Sequence, residues 1–175
     1  MNIRLATLGS AAALILSLGS VHAADENTDS SQLPDAEKSF LEAAAATDKS
    51  EIELSKVALA KSRTPAVKSF AQQMITEHNN NYRDLQALCD KKSFLIAPEL
   101  DSGHRAILRK LQSGSGDESF DHAYIDAIVS DHAQMDTALD QIANNSNDAD
   151  LKQFAADTLL VFQKHEQMAK DLSGK

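Results

Sequence analysis

TPAVKSFAQQMITEHNNNYRDLQALCDK, residues 64–91, places Val67, Ala71, Met74, Leu85 and Leu88 in steps of three and four. That is the period of one buried helix face. Thr64-Pro65 reads as an N-cap followed by a first-turn proline, so the helix opens there. The same row passes through His78 and Asn81, which puts an imidazole where a core side chain belongs.

Upstream, from Asp35 to Lys61, Phe40, Ala44, Leu54 and Ala58 mark a helical stripe, broadened by Leu41, Ala45, Ile52 and Leu59. The short break at Ser62-Arg63-Thr64 makes these two helices an antiparallel pair. Downstream, Ser113-Gly114-Ser115-Gly116 precedes a third long helix from about Asp117 to Asn144. Asn145-Ser146-Asn147-Asp148 then separates it from a fourth, Ala149 to about Leu172. This is a second antiparallel pair.

Between the pairs, residues 92–116 hold an extended Phe94-Leu95-Ile96-Ala97-Pro98 and a short helical stretch around Leu100 to Leu111. Roughly 12 helical residues and ~6 extended ones reach about 38 Å, close to the length of a long helix here. The segment is long enough to return the chain to the end where it began. The expected fold is all-α: a ferritin-like four-helix bundle over residues 35–173 with a long crossover carrying a short helix. An up-down-up-down bundle is the alternative.

Composition agrees: of 175 residues six are Gly, three Pro and none Trp, which leaves little for the turns of an all-β fold. Twenty-six acidic residues against seventeen basic give a net charge of -9 and no basic stripe, so nucleic acid is not an expected partner. Residues 1–23 have the three parts of a secretory signal: Arg4, an apolar stretch from Leu5 to Leu18, and Val21-His22-Ala23 before Ala24. Gly9, Ser10, Ser17, Gly19 and Ser20 interrupt that stretch, which is too short for a permanent span. Residues 24–34 are polar and read as a disordered arm. The mature chain is expected in the periplasm, with no transmembrane helix. Cys89, the single cysteine, forms no internal disulfide and reads as a small buried apolar residue; an intermolecular bridge, and with it a homodimer, stays open.

The third helix carries the row Ile125, Ile128, His132, Met135, Leu139 and Ile142, and the fourth the row Leu151, Ala155, Thr158, Phe162, His165, Ala169 and Leu172. On the first, Phe40, Ala44, Thr47, Glu51, Leu54 and Ala58 bring a carboxylate inward, with Glu53 less well placed. Glu51, His78, His132 and His165 all fall near mid-helix, so one level of the bundle holds all four. Three imidazoles and a carboxylate suit a divalent transition metal: zinc, copper, nickel or iron(II). Glu77, Asp131 and Glu166 flank the histidines, either as acceptors for an imidazole on another helix or as solvated residues. His104 and His122 lie off the rows and are expected at the surface. No Glu-x-x-His motif precedes the three histidines, since Ile75, Val129 and Phe162 stand three residues before them, which argues against a di-iron centre. Nothing suggests a hydrolase nucleophile. Tyr82 and Tyr124 are expected to pack as flank or core residues.

Val67-Lys68-Ser69-Phe70-Ala71 leading to Glu77-His78 is echoed by Leu151-Lys152-Gln153-Phe154-Ala155 leading to His165. With Glu51-Ile52-Glu53-Leu54, Phe120-Asp121 and Asp131-His132, this resembles a family of exported bacterial ferritin-like proteins catalogued as a domain of unknown function. Its members are often labelled periplasmic or outer-membrane proteins. The resemblance runs from about Phe40 to Leu172 and implies a ferritin-like bundle outside the cytoplasm, with Glu51, His78, His132 and His165 at its recurrent acidic and histidine positions. It implies no established activity. Cys89 and Phe94-Leu95-Ile96 depart from the small and polar residues usual in the loop.

The expected function is therefore a periplasmic metal-binding bundle that buffers or senses its ion or protects against stress. The rival is a non-catalytic stress or interaction module whose histidines form a hydrogen-bonded, pH-responsive core. A redox enzyme with an atypical metal centre ranks third.

Overall fold

A computed structural model describes residues 33–97 and 99–174. The expected signal segment 1–23, all of the expected arm but Leu33 and Pro34, and Pro98 of the crossover lie outside these residues. The described residues form five helices and no strand: α1 Asp35–Lys61, α2 Pro65–Lys91, α3 Ser102–Ser113, α4 Glu118–Asn145 and α5 Ala149–Ser173. No helix among them is long and apolar enough to cross a membrane.

Aspartates open three of the helices by accepting from backbone N–H groups left over in the first turn. Asp101 takes His104 N, Asp117 takes Phe120 N, and Asp148 takes Asp150 N and Leu151 N. Thr64 precedes Pro65 as expected but does not cap α2 with its side chain; its hydroxyl instead donates to Asp121 Oδ2 of α4 at 2.6 Å. Asp148 also binds Lys92 Nζ, tying the start of α5 to the end of α2. Asp148→Ala is expected to lower stability by about 1–2 kcal/mol in urea unfolding, through the lost cap and ion pair.

The directions of the helices follow from which residues meet. Along α1, Glu37, Glu51 and Ser55 face Ser146, His132 and Tyr124, so α1 and α4 run oppositely. Along α2, Glu77 and Asn81 face His165 and Thr158 of α5, again oppositely. Within the pairs α1–α2 and α4–α5 the short turns impose the same antiparallel sense, so α2 and α4 run the same way and the segment between them must travel back along the long helices. It does so largely as α3, whose Leu111 is buried in the core cluster shared by α1, α2 and α4. Lys61 fastens the end of this segment by donating to Gln112 O and, at 3.0 Å, to Gly114 O. Gly116 adopts φ +72° there, and a Cβ on it would fall 2.0 Å from Lys61 O, so only glycine fits.

The interior is not continuous hydrocarbon. One apolar cluster gathers Leu54, Phe70, Met74, Phe120, Ile125 and Ile128. A second gathers Phe40, Leu41, Leu85, Met135, Leu139 and Phe162. Leu33, Phe94 and Ile96 pack on the second, whereas Leu95 points outward and is 89% exposed. Cys89 is buried in the same cluster, and desolvation pushes its thiol up to about 11, far from a reactive thiolate. Between the clusters lie the buried polar side chains of Thr47, Asp48, Ser50, Glu51, Ser55, His78, His132, Thr158 and His165.

Candidate metal centre

Each long helix contributes to this polar belt because its inward row carries a polar residue at mid-length. His78, His132 and His165 come from α2, α4 and α5, and each is at most 1% exposed. One nitrogen from each lies within 4.8 Å of the others, close enough for the three to share one ion.

The outer partner of each imidazole decides which nitrogen remains. His132 Nδ1–H donates to Ile128 O at 3.0 Å; a carbonyl only accepts, so Nε2 is left with its lone pair. His165 Nε2–H donates to Glu77 Oε2 at 2.6 Å. Partial burial works against ionising Glu77, but its bonds with His165 and Gln73 and the nearby Lys164 hold its carboxyl below the usual range. Glu77 therefore accepts, and His165 keeps its lone pair on Nδ1. His132 Nε2 and His165 Nδ1 stand 3.4 Å apart. Two lone pairs facing at that distance repel unless a proton or a metal ion lies between them. Tetrahedral zinc with Zn–N of about 2.05 Å separates its nitrogens by about 3.3–3.4 Å.

His78 Nδ1 pairs with Asp48 Oδ1 at 2.8 Å, leaving His78 Nε2 without a hydrogen-bond partner. Burial, offset in part by Glu51, pushes the imidazole down to about 4. Burial pushes Asp48 up to about 8, although Asn81 Nδ2 donates to both its oxygens at 3.1 and 3.0 Å. Asn81 is itself anchored by Thr158 Oγ1, 2.8 Å away on α5. His165 is likewise pushed down to about 4, by burial and then by the neighbouring His78. For His132 burial acts in the same sense, but the Glu51 carboxylate outweighs it and raises the imidazole above its ordinary value.

Glu51 is completely buried. Its Oε1 lies 3.2 Å from His132 Nδ1 and its Oε2 3.7 Å from His78 Nε2, yet neither oxygen accepts a hydrogen bond. No Glu51 oxygen falls within 4.8 Å of all three imidazole nitrogens, so the structure gathers the histidines and leaves the carboxylate at their edge. No lysine or arginine is among the buried described residues, so Asp48 and Glu51 have only imidazoles to offset them. Buried acids with no lysine or arginine partner, the orphaned oxygens of Glu51 and converging imidazole nitrogens all suit a cation.

Of the acids flanking the histidines, only Glu77 holds one of the three imidazoles. Glu166 pairs with Lys170 at 2.9 Å. Asp131 lies 3.4 Å from His104 Nε2, and His104, expected at the surface, is 16% exposed in its side chain because it is wedged between Asp131 and Asp101. His122 is exposed as expected. Tyr124 is a core residue whose phenol pairs with Ser55 Oγ at 2.8 Å, while Tyr82 packs at the flank under Lys49. Asp48 is the functional residue that the helical rows pass over. It lies one residue beyond Thr47, and the signal for it was Asn81 on the α2 row, a core amide in need of a polar partner.

No curated protein and no solved structure matches the chain. The model of one family, described as Domain of unknown function (DUF4142), matches residues 22–172. With nearly all of its helical part covered by that match, the chain belongs to this domain-of-unknown-function family.

Proposed function

We propose that this protein is an exported, ferritin-like four-helix bundle that binds one divalent transition metal through His78, His132 and His165, with Glu51, at the edge of the three, turning inward as the fourth ligand when the ion binds. The observation that carries the reading is the approach of His132 Nε2 and His165 Nδ1, 3.4 Å apart in a site with no buried lysine or arginine. Asp48, the Ile128 carbonyl and Glu77 orient the imidazoles from outside, the arrangement usual for histidine ligands. Nitrogen ligands with one carboxylate favour zinc, copper or iron(II) over magnesium or calcium. A set filled by four protein groups is closed, as in centres that hold an ion rather than turn over a substrate. The role is therefore metal buffering, sensing or stress protection in the periplasm, after removal of residues 1–23.

The mature protein, purified without chelators or an affinity tag, is expected to carry close to one metal per chain by elemental analysis. Stripping the ion should lower the melting temperature by on the order of 10 °C, since a ligand at a thousand times its Kd adds about 4 kcal/mol. Absence of metal after incubation with zinc, copper and iron(II) would overturn the reading.

A second reading has its own support. The Glu51 carboxylate raises His132, so a proton on His132 Nε2, donated to His165 Nδ1, also relieves the facing lone pairs. The protein is then a metal-independent stress or interaction module, and its melting temperature does not respond to chelators.

A further inference from the structure

The proposed centre is sealed on most sides, which raises the question of how an ion reaches it. Apolar clusters lie on either side of the belt along the helices, and Phe162 covers His132 and His78 with ring centroids 4.6 and 5.1 Å away. A partly hydrated cation does not cross such a layer without a large desolvation penalty. Of the three groups that hold the imidazoles from outside, Asp48 and the Ile128 carbonyl belong to fully buried residues. Glu77 alone reaches solvent, at 27% exposure, while the His165 it binds is at 0%.

Glu77 opens onto a groove of about 480 Å³ between α2 and α5. Its walls include Asn80, Asp84 and Asp157, and its inner side is made by Glu77, Asn81 and Thr158. Glu77 bonds His165, Asn81 bonds Asp48, and Thr158 anchors Asn81. Phe154 and Val161 give the groove an apolar side, its carboxylates are Glu77, Asp84 and Asp157, and no basic residue is among its lining residues. The nearby cations, Lys164 at 3.5 Å from Glu77 and Arg83 bonded to Asn80, do not line it.

Resting on the metal-binding reading, we infer that the α2–α5 groove is the route by which a divalent cation reaches the histidines, with Glu77 as its gate. Asp84 and Asp157 concentrate the hydrated ion at the mouth. Glu77 then exchanges its bond to His165 Nε2–H for contact with the ion, sheds part of the water shell, and returns to His165 once the ion has passed. The barrier is local, because only Glu77 and the His165 ring that it holds, whose Nδ1 faces inward, have to move for an ion to pass from the groove to the cluster.

The test is stopped-flow loading of the metal-free mature protein with cobalt(II), followed by its visible absorption bands. In the wild type the loading rate should fall as salt screens the mouth. Asp84→Asn/Asp157→Asn changes two exposed residues that touch none of the histidines. It should load about tenfold more slowly at low salt, with a flattened salt dependence and unchanged final absorbance. Loading of this variant at the wild-type rate would overturn the route. So would slowing by Asp136→Asn instead, since Asp136 on α4 is partly exposed and within electrostatic reach of His132. A wild-type protein that takes up no cobalt would overturn the metal-binding reading itself, an outcome distinct from either of these.

Discussion

His132→Ala is expected to weaken metal binding by about a hundredfold. A four-ligand site holds zinc with roughly 10–16 kcal/mol, so one ligand accounts for about 3 kcal/mol, or two decades in Kd. His132 is the ligand to remove because it adjoins both His165 and Glu51. Its Nε2 faces His165 Nδ1 at 3.4 Å, its Nδ1 lies 3.2 Å from Glu51, and its ring lies 4.6 Å from that of Phe162. Competition with a chromophoric chelator reads the affinity. Urea unfolding of the metal-free wild type and variant separates the cost of the cavity from the loss of the ion. Asp48→Asn keeps an acceptor for His78 but removes the charge, and should cost ten- to a hundredfold, as outer partners of ligating imidazoles do. An unchanged affinity in His132→Ala would place the ion elsewhere.

Stability of the metal-free protein should peak near pH 6.5 and fall by roughly 2 kcal/mol over the next one to two pH units on either side. His78 and His165 are held at about 4, below the 6.5 of a free imidazole, so the unfolded chain binds more protons and stability rises with pH between those values. Asp48 is displaced the other way, from 3.8 to about 8, so its contribution falls as pH rises through that window. Below 6.5 Asp48 cancels its partner His78, and His165 sets the slope. Above 6.5 the imidazoles of the unfolded chain are neutral too, and the proton kept by Asp48, with that of the raised His132, reverses the sign. One net proton gives the acid limb about 1.4 kcal/mol per pH unit, and the alkaline limb is at least as steep because His132 adds its share to that of Asp48. A bound ion requires Asp48 ionised and His132 Nε2 free, so loading should abolish the alkaline limb. Urea unfolding from pH 4.5 to 8.5 with and without zinc measures both curves; a flat metal-free curve would show that the belt titrates as free residues do.

The helices were legible because their ends carry strong chemistry. Thr64-Pro65, Ser113 to Gly116 and Asn145 to Asp148 break the periodicity within a residue or two of the observed ends. The short helix was expected around Leu100 to Leu111 and runs from Ser102 to Ser113, because Asp101 caps it by accepting from His104 N. The histidines were legible because a helix row converts sequence spacing into a shared face. Asp48 was not, since a single row assumes a narrow buried stripe. α1 is covered by α2, α3 and α4, so Thr47, Asp48, Ser50 and Glu51 are all buried together. Which flanking acid reaches which histidine also escapes spacing: Glu77 and Asp131 both precede a histidine directly, yet one bonds His165 across the α2–α5 contact and the other meets His104 on α3. Side-chain reach between helices decides that.

The helix that returns between α2 and α4 also divides the proposed ligands in time. The first antiparallel pair forms from local contacts and carries Asp48, Glu51, Glu77 and one imidazole; the second carries the other two imidazoles. Such local pairing is fast, whereas joining the pairs closes a long loop and comes late. Neither half by itself offers an ion three histidines. On the metal-binding reading the centre would come into being only with the last step of folding, so that a newly folding chain would not capture metal in a half-made state, and a bound ion would hold the two halves together.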